Sequence, residues 1–154
     1  GQESVWDYPR PPRLEPFNDH IHIILDGEVI LKTEEAFRIL ETSHPPTYYL
    51  PMDHFNPGVL RRTYGVSFCE YKGKASHYDI YGKEQVVLRA AWRYPDASGI
   101  YLAIKDHIAV YANLMDACFV NNEKVIAQEG EFYGGWITSN IVGPFKGGAG
   151  TYDW

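Results

Sequence analysis

The chain has 154 residues, a formal net charge of −6, 45% hydrophobic and 22% charged residues, and two cysteines. That length suits one domain with a substantial core, and no stretch approaches the ~20 apolar residues of a membrane helix. The acidic balance, with basic residues clustered only at Arg61-Arg62 and Lys72/Lys74, argues against nucleic acid, which calls for a cationic face; two cysteines make neither a disulfide framework nor a closed zinc site.

The first sixteen residues contain Pro9, Pro11, Pro12 and Pro16. Proline fixes φ and removes an amide donor, so this arm is expected to be an extended strap over the domain, anchored by Trp6 and Tyr8. A hairpin is predicted next, His20 to Leu25 and Glu28 to Lys32, turning at Asp26-Gly27, which supplies the positive φ angles of a tight turn. His20 and His22 share one face of its first strand because side chains alternate with period two. With no third ligand at suitable spacing, they read as surface or half-buried histidines rather than a metal pair.

Thr33 fits an N-cap, and Ala36, Phe37 and Leu40 make one apolar face, so a short helix is expected there. It runs into Glu41-Thr42-Ser43-His44-Pro45-Pro46-Thr47-Tyr48-Tyr49-Leu50-Pro51. The two prolines force an extended path and bias His44 away from helix. A stiff loop carrying a carboxylate, hydroxyls and an imidazole loses little entropy when it binds a ligand, so Glu41, Ser43, His44 and Tyr48 are candidate site residues.

The densest chemistry lies in Cys69 to Asp79, which packs a thiol, two lysines, hydroxyls and His77 around Gly73. Lys72 favours a thiolate at Cys69, whereas Glu70 or burial opposes it. A nucleophile also needs a base, for which His44 or His77 would have to be close. Cys69 is therefore expected to be a core thiol, with a reactive thiol as the alternative. Lys72-Gly73, an ammonium beside a turn glycine, is expected to meet an anion at a pocket corner.

A second hairpin is predicted from Ser76 to Tyr81 and Gln85 to Trp92, turning at Gly82-Lys83. Tyr78 on its first strand, and Trp92 with Tyr94 at its end, are the aromatic candidates for stacking on a flat ligand. Ala97 to Lys105 follows Pro95-Asp96 and is the second candidate helix. A third hairpin spans Ala117 to Val120 and Glu123 to Gln128 around Asn121-Asn122. Near the end, Gly143 to Thr151 looks like a phosphate-binding loop but lacks the Gly-Lys-Ser/Thr ending and a strand-to-helix setting; an aromatic flap ending in Tyr152 and Trp154 is expected instead. The fold class is mainly β, bordering on α+β, with one or two short helices.

Several unusual strings occur in a fixed order: Glu3-Ser4-Val5-Trp6-Asp7-Tyr8-Pro9-Arg10-Pro11-Pro12-Arg13-Leu14-Glu15-Pro16, the Glu41 to Pro51 loop, Cys69 with Tyr71-Lys72-Gly73-Lys74-Ala75, and Ala91-Trp92 with Tyr94-Pro95. On these strings, positions 3 to about 128 resemble a bacterial family, domain of unknown function 427, and the tail resembles an extension of cyanobacterial members. The resemblance implies a β-tent, two sheets with a cleft between them, in which related proteins bind small ligands in aromatic pockets or hold zinc through cysteine pairs. This chain has no CxxC pair, and Glu70 stands where many relatives carry proline. A nucleotidyltransferase label also attaches to the family, but the acidic cluster that magnesium would need is not evident in the sequence.

The expected organisation is a domain over 1–128 with its N-terminal strap, and an aromatic, glycine-rich extension over 129–154 packed on it. The expected function is small-molecule binding in an aromatic cleft lined by Glu41, Ser43, His44, Tyr48, Lys72, Tyr78, Trp92 and Tyr94, without cofactor or metal. The alternatives are an enzyme using Cys69 or a Glu41/His44 acid–base pair, and an interaction module working through the tail. A small molecule is the expected partner, a homo-oligomer the second; nucleic acid and membrane are not expected. In the absence of a basic region followed by an apolar run at the N-terminus, a cytoplasmic location is expected.

Overall fold

A computed structural model describes residues 1–69, 71–130 and 133–154. The described residues are mainly β, and their helical segments are short 3-10 turns at Val5–Asp7, Met52–His54, Gly99–Ile104 and Ala112–Leu114. The strands are β1 (Glu3–Ser4), β2 (Arg13–Phe17), β3 (Ile21–Leu25), β4 (Glu28–Thr33), β5 (Ala36–Leu40), β6 (Thr47–Pro51), β7 (Leu60–Cys69), β8 (Gly73–Tyr81), β9 (Val86–Arg93), β10 (His107–Val110), β11 (Ala117–Val120), β12 (Glu123–Lys124), β13 (Ile126–Ala127), β14 (Trp136–Ile137) and β15 (Ile141–Val142).

Two antiparallel sheets dominate. The larger runs β2-β5-β6-β10-β9-β8-β7 and the smaller β12-β11-β3-β4. Strand alternation explains how they meet. Ile21, Ile23 and Leu25 from β3, Leu31 from β4, and Cys118 and Val120 from β11 form one face of the smaller sheet, and Ile30 joins them where the β3–β4 register shifts. They pack on Tyr48, Leu50, Ile80, Ala91, Ile108 and Val110 of the larger sheet to make the main core. Burial holds the Cys118 thiol well above its ordinary pKa, as expected of an inert core cysteine.

The first and second hairpins form as their turns predict. Asp26 (φ 52°) and Gly27 (φ 74°) take the left-handed conformation that joins β3 to β4. The Asp26 carboxylate then accepts the Glu84 and Gln85 amide hydrogens, at 2.8 and 3.0 Å, and so holds the turn of the second hairpin. A Cβ on Gly82 would lie 2.3 Å from that carboxylate, which accounts for the glycine. The third hairpin closes at Asn121-Asn122, both with positive φ, but its return strand splits after Lys124. Ile126 and Ala127 leave the smaller sheet and pair with Ile137 and Trp136.

The helix expected after Thr33 is a strand. Ala36 to Leu40 pairs with β2 on one side and β6 on the other. The Thr33 hydroxyl does accept the Glu35 amide hydrogen at 3.0 Å, the same local bond that starts a helix, but here it closes a turn between strands. The segment over Ala97 to Lys105 is helical but tighter than α, a 3-10 turn at Gly99–Ile104.

The N-terminal arm combines extended segments with a 3-10 turn, and Pro16 sits in the edge strand β2, where a missing amide donor does no harm. Tyr8 is buried as expected; Val5, not Trp6, is the other deep anchor. Half-exposed Trp6 donates its indole N–H to the Pro144 carbonyl at 2.8 Å and packs edge-on against Trp154. Parallel pairing of β1 with β15 ties this arm to residues near the other end of the chain. His22 stacks on Phe119 at 4.5 Å with its Nδ1 buried and unpartnered, and His20 lies 5.3 Å away.

Candidate functional site

The space between the two main sheets is filled. Tyr48 sits there against Phe17 and Trp136, with Tyr78 packed on the same core. The expectation of a cleft between the sheets is therefore corrected: the cleft opens on the opposite face of the larger sheet. Adjacent positions across β10, β9 and β8 (Ala109 opposite Trp92, and Trp92 opposite His77) carry side chains to that outer face. Tyr49 of β6, next to Tyr48 in sequence but pointing the other way, joins them in a second cluster with Tyr94 and Tyr101.

The cleft has a volume of about 690 Å³. Tyr49, Trp92, Tyr94 and Tyr111 supply its aromatic floor. Glu41, His44 and Thr47 come from the proline-stiffened loop and the start of β6, and Ser67, Phe68, Cys69, Lys72, His77 and Arg89 from β7, β8, β9 and the turn between β7 and β8. Gln128, Tyr133, Gly134 and Lys146 cover it from the C-terminal part of the chain. A Cβ on Gly134 would fall 2.0 Å from the Trp92 ring, so only glycine allows that close a cover.

Of the residues expected from sequence, the structure brings Glu41, His44, Lys72, Trp92 and Tyr94 into this cleft, together with Cys69. Ser43, Tyr48 and Tyr78 do not line it. Fully buried Ser43 has positive φ and accepts a hydrogen bond from the Arg10 guanidinium at 3.3 Å, while its carbonyl accepts the Lys146 amide hydrogen at 2.8 Å. Tyr48 and Tyr78 lie on the core side of their strands. Cys69 is half-buried: it packs against the cluster of Tyr49, Trp92 and Tyr94 and also lines the cleft. Glu70, weighed as its neighbour, lies outside the described residues.

The polar end of the cleft is organised by Gln128, which is buried. Its Oε1 accepts the Gly135 amide hydrogen at 3.1 Å. Its Nε2 donates to the Lys146 carbonyl at 2.7 Å and meets His44 Nδ1 at 3.1 Å. Since an amide nitrogen only donates, the network assigns Nδ1 of His44 as the acceptor and places the proton on Nε2. Burial, and after it the charges of Lys146, Arg10 and Lys72, hold the His44 pKa down to about 4. The 3.8 Å approach of His44 Nε2 to the Glu41 carboxylate is then a polar contact of a neutral ring, not an ion pair.

At the other end Ser67 Oγ lies 3.0 Å from His77 Nε2. Burial, then the charges of Arg89 and Arg62, lowers the His77 pKa. Burial is also the leading reason that the Tyr49, Tyr94 and Tyr111 phenols are raised, so all three stay protonated donors at neutral pH. Arg89 adopts φ 50°, where β8 and β9 shift register, and its guanidinium donates to the Tyr64 carbonyl at 2.9 Å. Among the described residues no three His, Cys, Asp or Glu side chains converge as a metal site, and no helix is long and apolar enough to cross a membrane.

Sequence reasoning missed Tyr49, Tyr111, Ser67, Gln128, Tyr133 and Lys146 as lining residues. Tyr49 was recoverable, because placing Tyr48 in the core sends its neighbour to the opposite face. Gln128 and Lys146 carry no local signal; they reach the cleft only through the path of the C-terminal segment. A family model described as Domain of unknown function (DUF427) matches residues 13–121, so the cleft residues from Gln128 onward lie beyond the matched span. No curated protein matches the chain.

Proposed function

Because the chain belongs to the DUF427 family, whose activity its description leaves open, we propose from the site itself that it binds a small molecule with a flat, partly apolar body. The observation that supports this reading is the outer-face cleft. Four aromatic side chains form a floor next to a few directed polar groups, in a volume suited to a metabolite-sized ligand. The floor is preorganised: Tyr49, Trp92 and Tyr94 are nearly enclosed by packing, so binding orders few side chains.

Thermal-shift screening against nucleotides, metabolites and tetrapyrroles tests this. A true ligand raises Tm and quenches tryptophan fluorescence, and Trp92→Leu and Lys72→Ala each weaken it by about tenfold, the equivalent of one good contact. A hit that binds both folded variants as tightly as the original protein sits elsewhere and removes this site assignment.

A further inference from the structure

We infer that the ligand of this cleft carries an oxyanion head group, a carboxylate or a phosphate, seated at the corner where Lys72, Lys146 and His44 converge. The inference rests on the cleft being a ligand site and adds the chemistry of what enters it.

The protein is acidic overall, at −6, yet this corner gathers positive charge. Lys72 and Lys146 line the cleft against one described carboxylate at that end, Glu41. Arg10 lies behind the loop, its guanidinium donating to the Thr42 carbonyl at 3.2 Å and to Ser43 Oγ at 3.3 Å, and Arg89 lines the opposite end. Lys146 is held by a hydrogen bond, and both ammonium groups lie near aromatic rings. Lys146 Nζ donates to the backbone oxygen of Trp154 at 3.0 Å and lies 5.9 Å from the Tyr133 ring centre; Lys72 Nζ lies 5.5 Å from that of Tyr94. Each ammonium therefore borders an aromatic ring, which suits a flat body ending in an anion.

His44 supplies the directional element. Its Nδ1 is occupied by Gln128, so Nε2 carries the proton. The Glu41 carboxylate oxygen, at 3.8 Å, is beyond hydrogen-bond distance. Burial first, and then the charges of Lys146, Arg10 and Lys72, depress the affinity of this ring for a second proton; those neighbouring cations favour an anion. A neutral N–H donor flanked by two ammonium groups recognises an oxyanion through one directed hydrogen bond and two charge contacts.

Two fluorescent probes separate charge from shape: 8-anilino-1-naphthalenesulfonate and N-phenyl-1-naphthylamine, which share a ring system and differ by the sulfonate. The 154-residue chain is expected to bind the anionic probe about tenfold more tightly, a difference that shrinks in high salt as exposed charges are screened. Lys72→Met and Lys146→Met should each weaken the anionic probe several-fold and leave the neutral one unchanged, whereas Trp92→Leu should weaken both. Phenyl phosphate or benzoate should displace the anionic probe where benzyl alcohol does not, and whichever competes better names the head group. Equal affinity for the two probes, lysine variants that spare the anionic probe or weaken both probes alike, or no displacement by either acid would overturn the oxyanion while leaving the cleft as a site. If neither probe binds, the cleft reading falls with it.

Discussion

His44 shows how one side chain's chemistry is set by neighbours remote in sequence. Gln128 spends its acceptor on Gly135 and both donors on Lys146 and His44, and burial, with the charges of Lys146, Arg10 and Lys72 after it, makes a second proton on the ring costly. The folded ring titrates at about 4 against 6.5 for the unfolded chain. Between those values the unfolded chain binds the extra proton. The associated stability is therefore fully present above pH 6.5 and is lost as pH falls toward 4, by on the order of 3 kcal/mol. His22, His77 and His107 shift in the same direction, with burial as the leading cause. His44→Asn is expected to flatten the decline without abolishing it, as read from urea unfolding at several pH values across this window; an unchanged slope would show that His44 does not set it. Residue types were legible at this scale: Glu41, His44, Lys72, Trp92 and Tyr94 stand out by chemistry alone. The protonation state of His44 was not, because its burial and the charges around it come from segments as remote as Lys146.

At the scale of elements, turns were read well and strand partners were not. Asp26-Gly27 and Asn121-Asn122 carry their conformation in their own residue types. Ala36 to Leu40 does not: an apolar pattern that short fits a helical face or a strand with both sides covered, and pairing with β2 and β6 decides for the strand. β7 is the contrasting case. Among the described residues it ends the larger sheet, bonded only to β8, with Tyr64 and Phe68 largely exposed. No strand among the described residues lies beyond its outward amides. They are expected to exchange hydrogen at least about a hundredfold faster than those of central β10; comparable protection of the two strands in hydrogen-exchange mass spectrometry would mean that β7 is covered in solution.

For the whole molecule, the decisive fact is how the C-terminal segment is used. Trp136 is fully enclosed in the main core and donates its indole N–H to the Val110 carbonyl at 3.1 Å. Ile141 packs with Val5, Tyr8 and Leu40, and β15 pairs with β1. Trp136→Ala is expected to cost about 3–5 kcal/mol, the range for emptying a large aromatic site. A chain ended at residue 128 is expected to lose cooperative unfolding in chemical denaturation. Two-state unfolding of that truncated chain at near-original stability would show that the segment is dispensable. The same segment brings Gln128, Tyr133, Gly134 and Lys146 over the cleft, so fold stability and site chemistry share one covering.

By itself the sequence determined the β-rich class, the two tight asparagine and aspartate turns, the family, and five cleft residues whose types carry binding chemistry. Those properties are local or compositional. Only the tertiary structure decided that the inter-sheet space is core and that the cleft lies on the outer face of the larger sheet. Alternation puts Tyr48 and Tyr49 on opposite faces, but which face is enclosed depends on where β3, β4, β11 and Trp136 pack. The charge and hydrogen bonds around His44 follow from the same long-range packing.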